Sequence, residues 1–484
     1  MDVAREAKAG LVWTSAGKSV VQLVGFGVSL ALARLLTPAD FGLIGMVVVV
    51  SGFLGVFTEL GFSAALIQRP EIEERHSNSV FWASLALGVF LALALCLSAP
   101  FLAAFYGEGR LLWMARVLAL DFVFGAMGIV PGALLARQMR FDALARAEVL
   151  GSLASSLLGL ALAFGGRGVW ALVAMPLATS FVAAWVQLRA SRFRPGFGFD
   201  RSALGELWGV SSHLFGYGIL EYWARQVDDL LIGRVLGARA LGLYSRAFST
   251  MMMPVHEVGG VISRVMFPAF SRLAGDVERI RKEYLRLLAV IAFVTFPVLF
   301  SLSVLAEPFI LVLYGPTWVG AKTVLSIYCI AGASQAVGST VGFVYMALGR
   351  TDQLLRWGLF AALVIISAIG VGIAFGSIEA VALSYTIATA GVLSGPRFAW
   401  LGRLIGLRLA DVFRALRGAL AASLASMGVV VLLGRLTSAF SPAADFALRS
   451  GVALALYLAL ALGFSIRGYT ELRATIRERL EPTP

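Results

Sequence analysis

Residues 80–105 read VFWASLALGVFLALALCLSAPFLAAF, an apolar run without a charged side chain. A helix needs about 20 such residues to cross roughly 30 Å of hydrocarbon. Similar long apolar runs occur at 285–306, 358–375 and 412–433. Because the apolar residues are continuous rather than alternating with polar ones, these runs predict membrane-spanning helices and exclude the strands of a barrel.

The rest of the chain follows the same pattern. Of its 484 residues, 59% are hydrophobic and 14% are charged, whereas an average soluble domain is about 25% charged. We predict an all-α polytopic membrane protein of about 14 transmembrane helices, with no soluble domain large enough for separate chemistry. The segments lie near 12–34, 40–61, 79–105, 111–136, 147–164, 168–188, 207–233, 240–264, 285–306, 322–347, 355–375, 378–400, 412–434 and 446–466.

The basic residues predict the orientation of these segments. With the N-terminus placed in the cytoplasm, the two tails and the even-numbered loops hold 28 of the 40 Lys and Arg, and the odd-numbered loops hold 8. This positive-inside bias places both termini in the cytoplasm. The net charge of +12 is therefore mainly a topology signal that also suits anionic lipid head groups, and nucleic acid is not an expected partner.

Short motifs recur in the same order about 200 residues apart, which indicates an internal repeat. We interpret residues 1–200 and 201–410 as two six-helix lobes related by a pseudo-twofold axis along the membrane normal. Residues 411–484 then form an appended helix pair and a cytoplasmic tail. The matching pairs are Arg34–Leu43 with Arg234–Leu243, Arg140–Arg146 with Arg350–Arg356, and Phe164–Leu172 with Phe375–Leu383.

Polar side chains share one face on several predicted helices, although a charge inside a membrane costs roughly 2.5–3.5 kcal/mol or more. We expect these faces to line a hydrated cavity between the lobes. The candidates for substrate binding are Lys18, Gln22, Arg116, Arg225, Arg246 and Gln335. The candidates for coupling to an ion, H⁺ or Na⁺, are Glu221, Asp228, Glu257 and Asp121.

Simpler interpretations of these residues stay open. Glu221, Arg225 and Asp228 have the spacing of an internal salt-bridge ladder. Lys18, Arg116 and Arg246 lie near segment ends, where a long basic side chain can extend to the membrane surface.

No catalytic or cofactor motif is complete in the sequence. Gly17-Lys18-Ser19 resembles the end of a phosphate-binding loop, but Val12 stands where that loop requires glycine. Cys96 and Cys329 lie apart in apolar segments and have no metal-ligand spacing. We therefore predict neither an enzyme nor a cofactor or metal site.

Several motifs in family order over roughly residues 10–410 resemble a known family, the Wzx-type polysaccharide flippases of the multidrug/oligosaccharidyl-lipid/polysaccharide (MOP) exporter superfamily. The nearest subgroup resembles exporters of colanic-acid-like repeat units. The motifs are Ala33–Gly42, Glu59–Gln68, Arg225–Gly237, Leu241–Tyr244, Phe267–Leu273, Tyr314–Trp318 and Ala347–Asp352.

The resemblance implies a function and partners. Such proteins flip undecaprenyl-diphosphate-linked oligosaccharide repeat units across the bacterial cytoplasmic (inner) membrane for cell-surface polysaccharide synthesis. They are taken to alternate between inward-open and outward-open states with a coupling ion, and their cationic cavity residues are thought to meet the diphosphate. Lys18 and Arg246 are where this role is expected. A polysaccharide polymerase and chain-length proteins are candidate partners.

Two other functions remain as alternatives. One is a cation-coupled small-molecule exporter of the same superfamily, which would protect cells from cationic drugs. The other is a non-transporting scaffold of a polysaccharide assembly complex, which would tolerate the loss of both Lys18 and Arg246.

Overall fold

The computed structural model describes residues 20–58, 63, 66–67, 69, 71–202, 212–273, 275–437 and 439–480. At 212–221, 224–225, 261–265, 267–268 and 475–480 it describes the backbone alone. Within these ranges the regular elements are all helices, which confirms the predicted all-α class. Lys18 lies outside the described residues.

Eleven of the described helices are long and apolar enough to cross a membrane. Each overlaps a predicted segment, whereas the total of 14 stays a prediction. In chain order, the described helices are α1 (Val20–Leu35), α2 (Pro38–Thr58), α3 (Glu74–Tyr106), α4 (Leu111–Arg137), α5 (Phe141–Phe164), α6 (Trp170–Ser191), α7 (Ser212–Arg272), α8 (Val277–Val304), α9 (Ala306–Leu313), α10 (Pro316–Ala347), α11 (Thr351–Ala374), α12 (Ile378–Ile405), α13 (Leu409–Leu436), α14 (Pro442–Gly463) and α15 (Arg467–Leu480). The eleven candidate membrane helices are α2–α6, α8 and α10–α14.

Helix α3 shows how the bundle meets lipid. Phe90, Leu93, Leu97 and Phe101 recur at steps of three and four residues and are 56–77% exposed. That spacing places them on one side of the helix. A continuous apolar stripe on an outer face suits hydrocarbon rather than water, and with the apolar helices it indicates a multi-pass membrane protein.

The connection between two predicted segments, 207–233 and 240–264, is shorter than expected. Both segments lie on α7, and the only non-helical backbone inside this run is at Gly237, with φ 85° and ψ 175°. Only glycine adopts such a conformation readily. Helical backbone therefore fills the gap between the two predicted segments, residues 234–239, except at Gly237.

The chain divides into two compact units, Met1–Gly242 and Leu243–Pro484. In the first unit, α6 packs against α4 and α5, and α3 packs against α4. The approach of α3 to α4 is close at Gly88, where an added side-chain carbon would lie 2.7 Å from the Phe122 carbonyl oxygen. Small residues at such crossings let membrane helices come close together.

In the second unit, α8 is the central helix and packs against α10, α13 and α15. The Tyr457 hydroxyl of α14 donates to the Phe293 carbonyl of α8 at 2.8 Å, which joins the appended helix pair to this unit. Helix α15 lies where the sequence predicts only a tail. It is tied to α8 by an ion pair between Arg286 and Glu471 at 2.7 Å.

Two helices of the second unit are irregular. Helix α10 opens with a 3₁₀ turn, Pro316–Ala321, and is interrupted at Ser339 and Thr340. Helix α12 contains a π-helical segment, Ile387–Val392. Such widened turns are rare and often mark functional sites.

Candidate functional site

Arg246, a predicted binding residue, is held by two aromatic rings. Its guanidinium carbon lies 5.2 Å from the Tyr314 ring centroid and 5.4 Å from that of Trp318. These cation–π distances favour a charged guanidinium. Thr250 lies one turn further along α7, and its hydroxyl is 2.8 Å from that of Tyr314. We call Arg246, Thr250, Tyr314 and Trp318 the Arg246 site.

The turn between α9 and α10 positions the two rings. Tyr314 ends α9, Gly315 follows with φ 95°, and the 3₁₀ turn brings Trp318 back beside Tyr314. Tyr314 is 5% exposed and Trp318 is fully buried. The rings are thus fixed by packing, and they hold the guanidinium in a defined place.

An aromatic cluster links α7 to α10 and α12 within the second unit. The ring of Tyr328 lies 5.5 Å from each of Tyr244, Phe248 and Tyr385. Gln335, another predicted binding residue, donates from Nε2 to the Tyr385 hydroxyl at 2.5 Å. Gln335 is therefore part of a packed polar and aromatic layer.

Polar contacts also join α10 to α12 directly. The Ser334 hydroxyl lies 2.8 Å from that of Ser394 and donates to the Thr389 carbonyl at 3.2 Å. Arg397 donates from Nη1 to the Ser334 carbonyl at 3.3 Å. Thr389 lies in the π-helical segment, where widened turns leave carbonyls available to side chains. We call Ser334, Thr389, Ser394 and Arg397 the polar seam.

The candidates on the first unit are not assembled in the same way. Gln22 is exposed on α1. The Arg116 guanidinium lies 5.1 Å from the Trp113 ring centroid. Asp121 lies beside Ser180, and one of its carboxylate oxygens is buried without a hydrogen bond. No ion pair joins Arg116 to Asp121, both of which the structure describes.

The remaining candidates lie on α7. Asp228 is half-buried and Glu257 is exposed. The Tyr222 hydroxyl of this helix donates to the Val49 carbonyl of α2 at 2.6 Å. The side chains of Glu221 and Arg225 are among those not described, so the salt-bridge ladder stays an open alternative.

Of the eight residues in the Arg246 site and the polar seam, the sequence predicts only Arg246 as a binding candidate. Tyr314 and Trp318 belong to a motif that carries the family resemblance, but nothing in their spacing indicates a contact with Arg246. Arg397 stands near the end of the predicted segment 378–400 and is followed by further arginines, so the sequence groups it with the basic residues of the next cytoplasmic loop and not with the binding candidates.

Comparison with known proteins identifies the family. A family model described as polysaccharide biosynthesis protein matches residues 31–323. The chain is 29% identical to the succinoglycan biosynthesis transport protein ExoT of Rhizobium meliloti, over 81% of this chain and 80% of that protein. It is 24% identical to the lipopolysaccharide biosynthesis protein WzxC of Escherichia coli, over 77% of this chain and 76% of that protein.

Solved structures show the same fold at low sequence identity. The lipid II flippase MurJ, in an inward closed conformation, matches with a TM-score of 0.74 and 15% identity, over 94% of this chain and 98% of that one. An inward-facing multidrug resistance MATE family transporter of the MOP superfamily matches with a TM-score of 0.56 and 17% identity, over 80% of this chain and 94% of that one. The resemblance inferred from sequence motifs is confirmed: the chain belongs to the polysaccharide biosynthesis protein family and is similar to Wzx-type proteins.

Proposed function

We propose that this protein flips undecaprenyl-diphosphate-linked oligosaccharide repeat units across the bacterial cytoplasmic membrane for cell-surface polysaccharide synthesis. The observation that carries the proposal is Arg246, a cation fixed on two aromatic rings within a predicted transmembrane segment of the family-matching region. The names of the relatives support the substrate class, since they include a polysaccharide biosynthesis transport protein.

The chemistry of the substrate explains why a cation is needed there. A diphosphate with attached sugars is strongly hydrated and does not cross hydrocarbon unaided. A guanidinium replaces part of that hydration with charge-assisted hydrogen bonds to phosphate oxygens. Because the rings of Tyr314 and Trp318 already hold Arg246 in place, little side-chain entropy is lost when the phosphate binds.

We also propose that the protein contains two copies of one six-helix unit, residues 1–200 and 201–410, followed by an appended pair at 411–484. A side-chain carbon on Gly42 would overlap the carbonyl of Ala238, and one on Gly242 would overlap the carbonyl of Pro38. The two contacts are reciprocal at an offset of 200 residues, as expected at a twofold axis.

Transport by this protein is proposed to follow alternating access, with both termini in the cytoplasm and an ion gradient as the energy source. The carboxylates available for H⁺ or Na⁺ are Asp121, Glu221, Asp228 and Glu257. Flipping in proteoliposomes should accelerate when one of the two gradients is imposed. A flipping rate that neither gradient changes would contradict the proposal of ion coupling.

Deletion of the gene tests the substrate assignment in cells. We expect the lipid-linked saccharide to accumulate on the cytoplasmic leaflet and surface polysaccharide to fall, together with the output of a polymerase and chain-length proteins acting downstream. Altered resistance to cationic drugs with normal polysaccharide would favour the small-molecule exporter instead. Full complementation by a variant that carries both Lys18→Ala and Arg246→Ala would favour the scaffold.

A further inference from the structure

The Arg397 guanidinium packs into a closely fitting site in the second unit, formed by Gly338 and the Ser334 carbonyl, which we call the seat. Arg397 lies in the second half of α12, shortly after the π-helical segment, and reaches across to α10. A side-chain carbon on Gly338 would overlap its guanidinium, so the absence of a side chain at 338 makes room for it. In the seat, the guanidinium packs against Gly338, and its Nη1 donates a hydrogen bond to the Ser334 carbonyl.

The charge of Arg397 is not balanced by the residues around this seat. Within the part of the chain that the structure describes, no carboxylate pairs with it, and its guanidinium makes one hydrogen bond, to the Ser334 carbonyl. The side chains of Tyr284 and Tyr385 lie near it, and neither carries a balancing negative charge at neutral pH. A guanidinium has five N–H donors, so most of them stay available. Holding an unpaired cation among membrane helices is costly, and such residues usually serve a ligand or a transport path.

The first unit contains a neutral counterpart of this seat. Gln187 lies over Gly128, where an added side-chain carbon would be 3.0 Å from its Oε1. Both residues precede their counterparts, Arg397 and Gly338, by 210 residues, which is also an offset of the sequence repeat. A neutral amide thus suffices to pack a polar side chain over glycine. The positive charge of Arg397 needs another explanation.

We propose that Arg397 is an anion-binding residue that receives phosphate oxygens of the lipid-linked substrate. This inference rests on the proposed function. A planar guanidinium with free donors binds two phosphate oxygens at once, which an ammonium does less well. Arg403 and Arg408 follow Arg397 along the chain and add positive charge to this region, which attracts anions.

Binding of undecaprenyl diphosphate tests this assignment. The full-length protein is placed in phosphatidylcholine nanodiscs, and the tryptophan fluorescence is titrated, since Trp400 lies one turn from Arg397. Arg397→Gln, which gives the second seat the chemistry of the first, should weaken binding roughly tenfold or more. Arg397→Lys should lie between the two. The matched control, Gln187→Ala, should change the affinity less than about twofold.

Two competition experiments distinguish the phosphate of the lipid-linked substrate from that of a membrane lipid or of free pyrophosphate. Phosphatidylglycerol in the disc and inorganic pyrophosphate in solution are each tested as competitors, and we expect neither to displace the lipid-linked probe at comparable concentration. Displacement by phosphatidylglycerol would assign Arg397 to membrane head groups and overturn its assignment to substrate.

Two results distinguish this inference from the proposed function. If Arg397→Gln keeps the melting temperature and the affinity of the parent protein, the inference is wrong and the function stands. If the parent protein itself does not bind undecaprenyl diphosphate, the proposed function is wrong and the inference falls with it. Should Arg397→Gln fail to fold, Gly338→Ala displaces the guanidinium without removing the charge and should also weaken binding about tenfold.

Discussion

Met46 and Arg246 stand at matching places in the two proposed copies, 200 residues apart, but their chemistry differs. Met46 is fully buried in the first unit, where it and Tyr106 both border Gly233. Arg246 lies against Tyr314, and both tyrosines precede a glycine with positive φ. A position near such a tyrosine thus carries a thioether in one copy and a guanidinium in the other.

Gln187 and Arg397 repeat this difference at a second pair of places. In each case the polar side chain lies over a glycine, and only the second copy carries charge. The two copies thus share the way in which these side chains pack, whereas the residue type at each matching position sets the charge. We infer that at these two pairs of positions the second copy is the one that offers a cation to an anionic substrate.

The largest effect is expected where the two copies are most alike. Gly42→Ala or Gly242→Ala places a methyl group inside a backbone carbonyl, which the helices accommodate only by moving apart. Each substitution should cost about 3 kcal/mol of stability, because overpacking against backbone has no flexible side chain to absorb it. Thermal unfolding in detergent measures the loss.

Gly55→Ala is the matched control on the same helix, since nothing lies within 4 Å of that position. It should be neutral or slightly stabilising. The double variant should cost less than the sum of the two, because both methyl groups open one crossing. Strict additivity, or a large difference between the two single variants, would contradict the reciprocal contact.

The second-largest effect is expected from Arg246, whose matching residue in the first copy is Met46. Arg246→Met gives the second copy the residue of the first and removes the charge while keeping much of the side-chain volume. We expect flipping of the lipid-linked saccharide to slow at least about tenfold, with little change in melting temperature, because charge-assisted hydrogen bonds to phosphate are lost. Met46→Leu is the control and should leave the rate nearly unchanged. Equal rates for Arg246→Met and the parent protein would argue against a substrate contact.

The smallest effect separates the two matching tyrosines. Tyr314→Phe removes the hydroxyl that bonds to Thr250 at 2.8 Å and should cost about 1 kcal/mol. Among the described residues, the buried Tyr106 hydroxyl has no hydrogen-bond partner. Tyr106→Phe should therefore be neutral or stabilising, and chemical unfolding of both variants checks the difference. Equal losses would mean that the hydroxyl of Tyr106 has a partner.

Much of the fold is predictable from the sequence, because long apolar runs have few structural solutions in a membrane. The helix class follows from them directly. The break in α7 does not, since Gly237 resembles many other glycines and only the backbone shows its positive φ. The sequence predicts only a tail at α15, because this segment is short and polar, whereas the helix forms where Glu471 can pair with Arg286.

The site is only partly predictable. Arg246 stands out because a cation within an apolar segment is costly and therefore conspicuous. Arg397 does not, since its place near other arginines resembles a loop, and its seat depends on Gly338 from another helix. The sequence identifies single polar residues, but which of them meet across helices depends on packing that a linear pattern does not contain.

Reconstituted flipping tests the central claim most directly. The parent protein is placed in proteoliposomes with an undecaprenyl-diphosphate-linked oligosaccharide, and exposure of the saccharide to a membrane-impermeant lectin is followed with time. If the protein is a flippase, the saccharide moves between leaflets faster than in protein-free vesicles. No movement beyond the protein-free rate, from protein with an intact thermal transition, would contradict it.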